Sequence, residues 1–322
     1  RYDPQKHRVP ALQEPGVLSL SYLAQVLWLL GYPDQAVYRS QEALNLAREI
    51  AHPLSLAHAL QSAARIHLGC GDLSATRKLA DELTHFAQEQ GFAVHEAGGM
   101  MLQGWVAVQE QGEEGIDLMH CGLTLYQDTG TALHRPYWLA LVAGACGREE
   151  QHGESLMMLA EALTCVERTE ERWYEAELYR LKGELTLQRA NQKSKRKTQK
   201  SKVPKPQSQI PEPEREAEAC FHKAVTIAQR QQAKSLELRA TMSRARLWQQ
   251  QGKTHEAHQM LAEIFGWFTE GFATKDLQEA RSLLNALSRN RAVEPTPPEL
   301  TEQKVSPPNL RLGVNTHSRV PQ

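Results

Sequence analysis

A short turn motif returns along this chain at a spacing of about forty residues, and it constrains the fold more than any other feature. Gly31-Tyr-Pro-Asp-Gln-Ala36 and Gly252-Lys-Thr-His-Glu-Ala257 each set a glycine five residues ahead of a small residue that opens an amphipathic helix. Looser copies start at Gly71 and Gly112, so that Gly31 to Gly71 is 40 residues and Gly71 to Gly112 is 41. A fixed period of this size signals stacked helical hairpins, each burying its apolar stripe against its neighbours.

Between the turns the apolar residues recur at helical steps. Ala36, Ser40, Ala43, Ala47 and Ile50 form one stripe of a second helix, and its small side chains let two helices approach closely. The pattern predicts helices at about 17–30, 34–50, 54–69, 73–90, 94–111, 114–129, 133–149, 154–168 and 172–190, then 214–232, 234–251, 255–268 and 275–289. No segment alternates with period two over strand length, so the expected class is all-α. Residues 1–16 read as an irregular lead-in. Residues 191–213, with six Lys or Arg in 193–202 followed by Pro204, Pro206, Pro211 and Pro213, read as a disordered basic insertion. Residues 291–322 read as a disordered Pro-rich tail. The helical repeats therefore fill 17–190 and resume over 214–290.

The insertion has a telling length. Gly183 has the spacing of a first-helix small position, and Ala217, Phe221 and Ala224 have the spacing of a second helix, yet Gly183 to Ala217 is 34 residues instead of twelve. The excess matches the polar stretch, so the helices on either side are expected to form one hairpin with a long turn. Loop closure grows only logarithmically with length and tolerates this.

Small residues at Ala24, Ala36 and Ala43, and again at Ala245 and Ala257, follow the tetratricopeptide pattern. Longer phrases go further: Leu27-Trp-Leu-Leu-Gly-Tyr-Pro-Asp-Gln-Ala36, Glu171-Arg-Trp-Tyr-Glu-Ala-Glu-Leu-Tyr-Arg-Leu-Lys-Gly-Glu184, Arg230-Gln-Gln-Ala-Lys-Ser-Leu-Glu-Leu-Arg239 and Gly266-Trp-Phe-Thr-Glu-Gly-Phe272. Over about 17–290 the chain resembles the C-terminal tetratricopeptide region of large bacterial signalling proteins, in which a class III adenylate or guanylate cyclase domain and an ATPase precede the repeats. The resemblance implies a right-handed superhelix of about six hairpins. It carries no catalytic residue onto this chain, because the cyclase and ATPase portions are not in it. The basic insertion and the Pro-rich tail depart from the family.

The formal charge of −1 supplies no global field for nucleic acid or an anionic membrane. Cys70, Cys121, Cys146, Cys165 and Cys220 stand singly without Cys-x-x-Cys, which reads as reduced core thiols in a cytoplasmic protein. Gly252-Lys253-Thr254 reads as a repeat turn, since Leu247 occupies the place where a phosphate loop needs its other glycine. His255-Glu256-Ala257-His258 lacks the zinc-protease spacing, with Gln259 where the second His would stand. His120 and Cys121 are adjacent and point apart. The basic run in 193–202 lacks interleaved aromatics for base stacking and reads as a solvated linker.

The aromatics Trp28, Trp105, Tyr137, Trp138, Trp173, Tyr174, Trp248 and Trp267 fall at helical positions and read mainly as packing between hairpins. Such superhelices present a concave face, and Arg135, Trp138, Trp173, Tyr174 and Arg180 are the candidates for it, because aromatics and Arg dominate interaction hot spots. The expectation is a non-catalytic interaction and regulatory scaffold with no cofactor or metal. Its partner is a protein segment, an ATPase or cyclase domain in cis, or a small effector; nucleic acid and membrane are not expected. A chain that begins at Arg1 rather than Met is expected to be a piece of a longer protein. The alternatives are a stand-alone adaptor or the tail of an ATPase-type transcriptional regulator.

Overall fold

The computed structural model describes residues 13–110, 114–198 and 211–291. Among them lie thirteen helices and no strand: α1 Pro15–Leu30, α2 Pro33–Ile50, α3 Pro53–Cys70, α4 Leu73–Gln90, α5 Ala93–Glu110, α6 Glu114–Asp128, α7 Arg135–Arg148, α8 His152–Thr169, α9 Glu175–Thr198, α10 Glu212–Arg230, α11 Lys234–Gln250, α12 Thr254–Phe265 and α13 Lys275–Arg291. Consecutive helices pack in pairs, α1 with α2 through α11 with α12, and α13 covers the last pair. This is a helical-repeat solenoid. No described helix is long and apolar enough to cross a membrane.

Local chemistry sets the breaks. α1 ends where Gly31 takes φ +89°, which lets its N–H and that of Tyr32 bond back to the Trp28 and Leu27 carbonyls, and Pro33 then opens α2 with a preset φ. The small positions lie where helices cross: Ala24, Ala36, Ala245 and Ala257 are fully buried. At Gly183 a Cβ would fall 2.5 Å from the Phe221 ring, so α9 and α10 meet through the contact between this glycine and a fully buried phenylalanine.

Three expectations change. Residues 191–198 belong to α9, because Gln, Lys, Arg and Ser contain no breaker and the first proline is Pro204. Pro211 and Pro213 do not belong to a linker: they frame the first turn of α10, where proline costs no backbone bond. Pro15 starts α1 rather than ending an irregular lead-in. Residues 1–12, the Gly112 turn, 199–210 and the tail from 292 lie outside the described residues. All five cysteines are free, but Cys121 is exposed and Cys70 only partly buried, so the reading of core thiols holds for Cys146, Cys165 and Cys220.

The two ends of the solenoid meet. Ser235 on α11 donates to the Trp28 carbonyl (2.5 Å), Gly271 donates its N–H to Asp34 (3.0 Å), and Gln35 donates to Glu270 through its backbone and its side chain (3.0 and 2.9 Å). Tyr32 lies 5.3 Å from Trp267 between ring centroids. A Cβ on Gly31 would sit 2.7 Å from Trp267, and one on Gly271, at φ +75°, would run into Pro33. Glycine is thus required at both for backbone conformation and for the close approach. The described solenoid closes on itself, with first and last hairpins in contact.

Candidate functional site

Closure leaves a cavity of about 450 Å³ in the centre. The helices that line it are α1, α3, α5, α7, α9, α11 and α13, with Leu73 at the start of α4, so mainly the first helix of each hairpin faces inward. Along α7 the inner face is Tyr137, Ala140, Leu141, Gly144, Gly147 and Arg148, at steps of three and four. The turn before α9 adds Trp173 and Tyr174, and α9 itself adds Glu177, Arg180 and Leu181, continuing to Glu184 and Leu185.

One end is built by aromatics. Tyr137 stacks on Trp173 at 5.6 Å and 26°, and meets Trp138 and Tyr174 edge-on at 4.9 and 5.0 Å. Glu171 fixes this cluster: it accepts from the His134 backbone N–H (2.9 Å) and from the Trp173 indole N–H (2.8 Å), and lies 3.1 Å from the His134 ring. Burial pushes the Glu171 carboxyl up, but those bonds outweigh it and hold it below its usual range. The Arg65 guanidinium of α3 lies over these rings, 4.3 Å from Tyr137 and 5.2 Å from Trp173.

Beside the aromatics lies an ion-pair network. Arg180 donates to Glu177 (2.8 Å) and pairs with Glu184 (2.6 Å). Arg239 of α11 donates to Asp276 of α13 (2.6 Å) and to the Gly69 carbonyl of α3 (2.9 Å), lies 3.8 Å from Glu177, and covers the Trp28 ring. Burial raises the Glu177 carboxyl, but Arg180 and Arg239 together hold it ionised below the ordinary range. Arg246 and Lys275 both reach Glu279. Every carboxylate in the lining is therefore matched by a cation.

Of the five residues singled out in sequence, Trp173, Tyr174 and Arg180 come together on the lining. Trp138 and Arg135 do not. Trp138 is fully buried behind Tyr137, and Arg135 turns outward to Glu161 on α8 (2.5 Å). Sequence reasoning missed Arg65, Glu177, Arg239 and Asp276. Their signal was charge on a face that otherwise packs: Ser62, Arg65, Ile66 and Gly69 sit on one α3 stripe.

Outside the cavity, His120, Cys146 and Glu154 bring three donor atoms within 4.8 Å of one another. His120 is thus partnered across helices rather than with its neighbour Cys121. Burial, then Glu154, pushes the Cys146 thiol up to about 11, and it lies 3.7 Å from the His120 ring as a neutral hydrogen-bonding group. The Lys253-Thr254-His255-Glu256 segment forms the start of α12, with His255 and Glu256 exposed.

Buried imidazoles give the fold a pH dependence of definite sign. Burial, reinforced by His95, Arg65 and His134, pushes His58 down to about 4, and burial alone pushes His95 to about 4. Unfolded histidine protonates near 6.5, so between pH 6.5 and 4 the unfolded chain takes up protons first and stability falls as pH falls. Each histidine should cost on the order of 2 kcal/mol between pH 7 and pH 5. The urea midpoint should drop over that interval, and His95→Gln should flatten the drop; a midpoint independent of pH would contradict these environments.

Comparison of the sequence with protein-family models and with curated proteins gave no match.

Proposed function

We propose that the chain is a non-catalytic regulatory scaffold of the tetratricopeptide type, and that its central cavity receives a small effector. One observation supports this above all: the cavity is lined by inner helices from both ends of the solenoid, which touch only because the solenoid closes. A molecule that fills the cavity contacts α3, α7 and α9 on one side and α11 and α13 on the other, and to that extent its binding energy favours the closed state over any opened one. The cavity size falls within the roughly 300–1,000 Å³ typical of small-molecule sites. An extended protein segment threading an open groove fits this closed geometry less well.

The phrases around Trp28, Trp173 and Trp267 that resemble the tails of nucleotide-cyclase and ATPase signalling proteins suggest the output. In this reading the solenoid is the sensor region of a bacterial cytoplasmic multidomain protein with a right-handed superhelix, and closure changes its packing against an ATPase domain in cis. With cyclase and ATPase domains joined ahead of Arg1, deletion of residues 17–290 should abolish effector control of cyclase activity. Unchanged activity and unchanged effector response after the deletion would overturn the regulatory reading.

A further inference from the structure

With the lining carboxylates all paired, two cations remain: no carboxylate pairs with Arg65 or Arg148 among the described residues. The two differ in kind. Arg148 is exposed at the end of α7, 5.8 Å from Trp105, and water solvates it. Arg65 is half-buried, with its guanidinium carbon 4.3 Å from the Tyr137 ring centroid and 5.2 Å from that of Trp173, and the Tyr137 phenol as its polar neighbour. A guanidinium packed over a pair of rings has already lost part of its hydration, and its N–H groups that do not face the rings can bond an anion in bidentate fashion. From Arg65 the wall continues as Ala140, Leu141, Gly144 and Leu181 to the Trp105 ring, an apolar strip along the inner faces of α7 and α9. Near Trp105 the Gln109 amide nitrogen, buried and without a hydrogen-bond partner, completes the lining.

We propose that this cavity binds a small organic anion with a flat apolar body, its acid group on Arg65 and its body along the α7–α9 strip toward Trp105. The ligand class is a carboxylate, sulfonate or similar acid attached to an aromatic or fused-ring skeleton. This inference rests on the reading of the cavity as an effector site and specifies the chemistry of the effector.

The test uses the full chain and two matched probes: 8-anilinonaphthalene-1-sulfonate, and N-phenyl-1-naphthylamine, which has the same rings without the acid. The sulfonate should bind one molecule per chain, with energy transfer from tryptophan, and more tightly than the neutral amine. Arg65→Gln should weaken the sulfonate roughly ten- to a hundred-fold, the loss expected for one charged hydrogen-bonded contact. The same variant should leave the neutral amine unchanged, which also reports that the cavity is intact. Arg65→Lys should recover only part of the affinity. Arg148→Gln removes the same charge from the rim and should change sulfonate binding by less than a factor of about three. Equal affinity for the two probes, with no effect of Arg65→Gln, would overturn the anion seat and leave the cavity reading standing. Equal losses from Arg65→Gln and Arg148→Gln would overturn it in favour of a diffuse field. Binding of neither probe would count against the cavity reading itself.

Discussion

Replacing Arg239 by Met should destabilise the folded chain by about 3–5 kcal/mol, the cost of removing one partner from a buried charged network. The guanidinium is four-fifths buried and holds three elements together: the Asp276 carboxylate of α13, the Glu177 carboxylate of α9 and the Gly69 carbonyl of α3. Methionine fills similar volume but leaves Asp276 and the Gly69 carbonyl without their donor and Glu177 with Arg180 alone. A surface pair provides the contrast. Arg48 and Glu82 are paired at 2.7 Å with both side chains well exposed, and Arg48→Met should shift stability by no more than about 0.5 kcal/mol. Urea unfolding of the two variants measures both. Equal small effects would mean that Arg239 is solvated and that α11 does not bind α3 as described.

The second large effect belongs to the crossing of α5 and α6. A Cβ on Gly104 would fall 2.5 Å from the Gly115 carbonyl oxygen and 2.5 Å from Met119, and a Cβ on Gly115 would meet the Gly104 carbonyl in return. The obstacle is backbone, which cannot rotate aside as a side-chain tip can. Gly104→Ala and Gly115→Ala should each cost about 3 kcal/mol or more, at or beyond the upper end of ordinary overpacking. Gly153 sits in the first turn of α8 with nothing within 4 Å of its would-be Cβ, so Gly153→Ala should be neutral or stabilise by up to about 1 kcal/mol. Thermal unfolding of the three variants decides the matter; a harmless Gly104→Ala would mean the two helices are further apart.

Much of the architecture is legible from local signals. Glycine and proline end helices for reasons that need no tertiary context, and Gly31 with Pro33 mark the first break unaided. The run after Arg189 misleads because low hydrophobicity is a criterion for disorder, while Lys, Arg and Gln are good helix formers that continue α9 to Thr198. The cavity is harder to read. Trp138 and Trp173 look alike in sequence, but α7 is buried on nearly every side, so inner and packed positions on it do not separate by pattern. Arg65 looks like a surface residue of an Ala-rich helix until Tyr137 of α7 and Trp173 of the turn before α9 are brought over it. Closure is least legible of all. It sums small rotations over six hairpins, and the contacts that secure it, such as Asp34 with Gly271, lie 237 residues apart.

Closure is also what the cavity, the ion-pair network and the proposed effector seat depend on, and a crosslink across the seam tests it. Gln35 and Glu270 are accessible and hydrogen-bonded to each other, so Gln35→Cys and Glu270→Cys place two thiols within reach of a short bismaleimide, with Cys121→Ser removing the exposed native thiol. In dilute protein the closed solenoid predicts rapid, near-complete intramolecular bridging of the two cysteines. Two singly capped cysteines with no bridge would show an open solenoid and contradict the account.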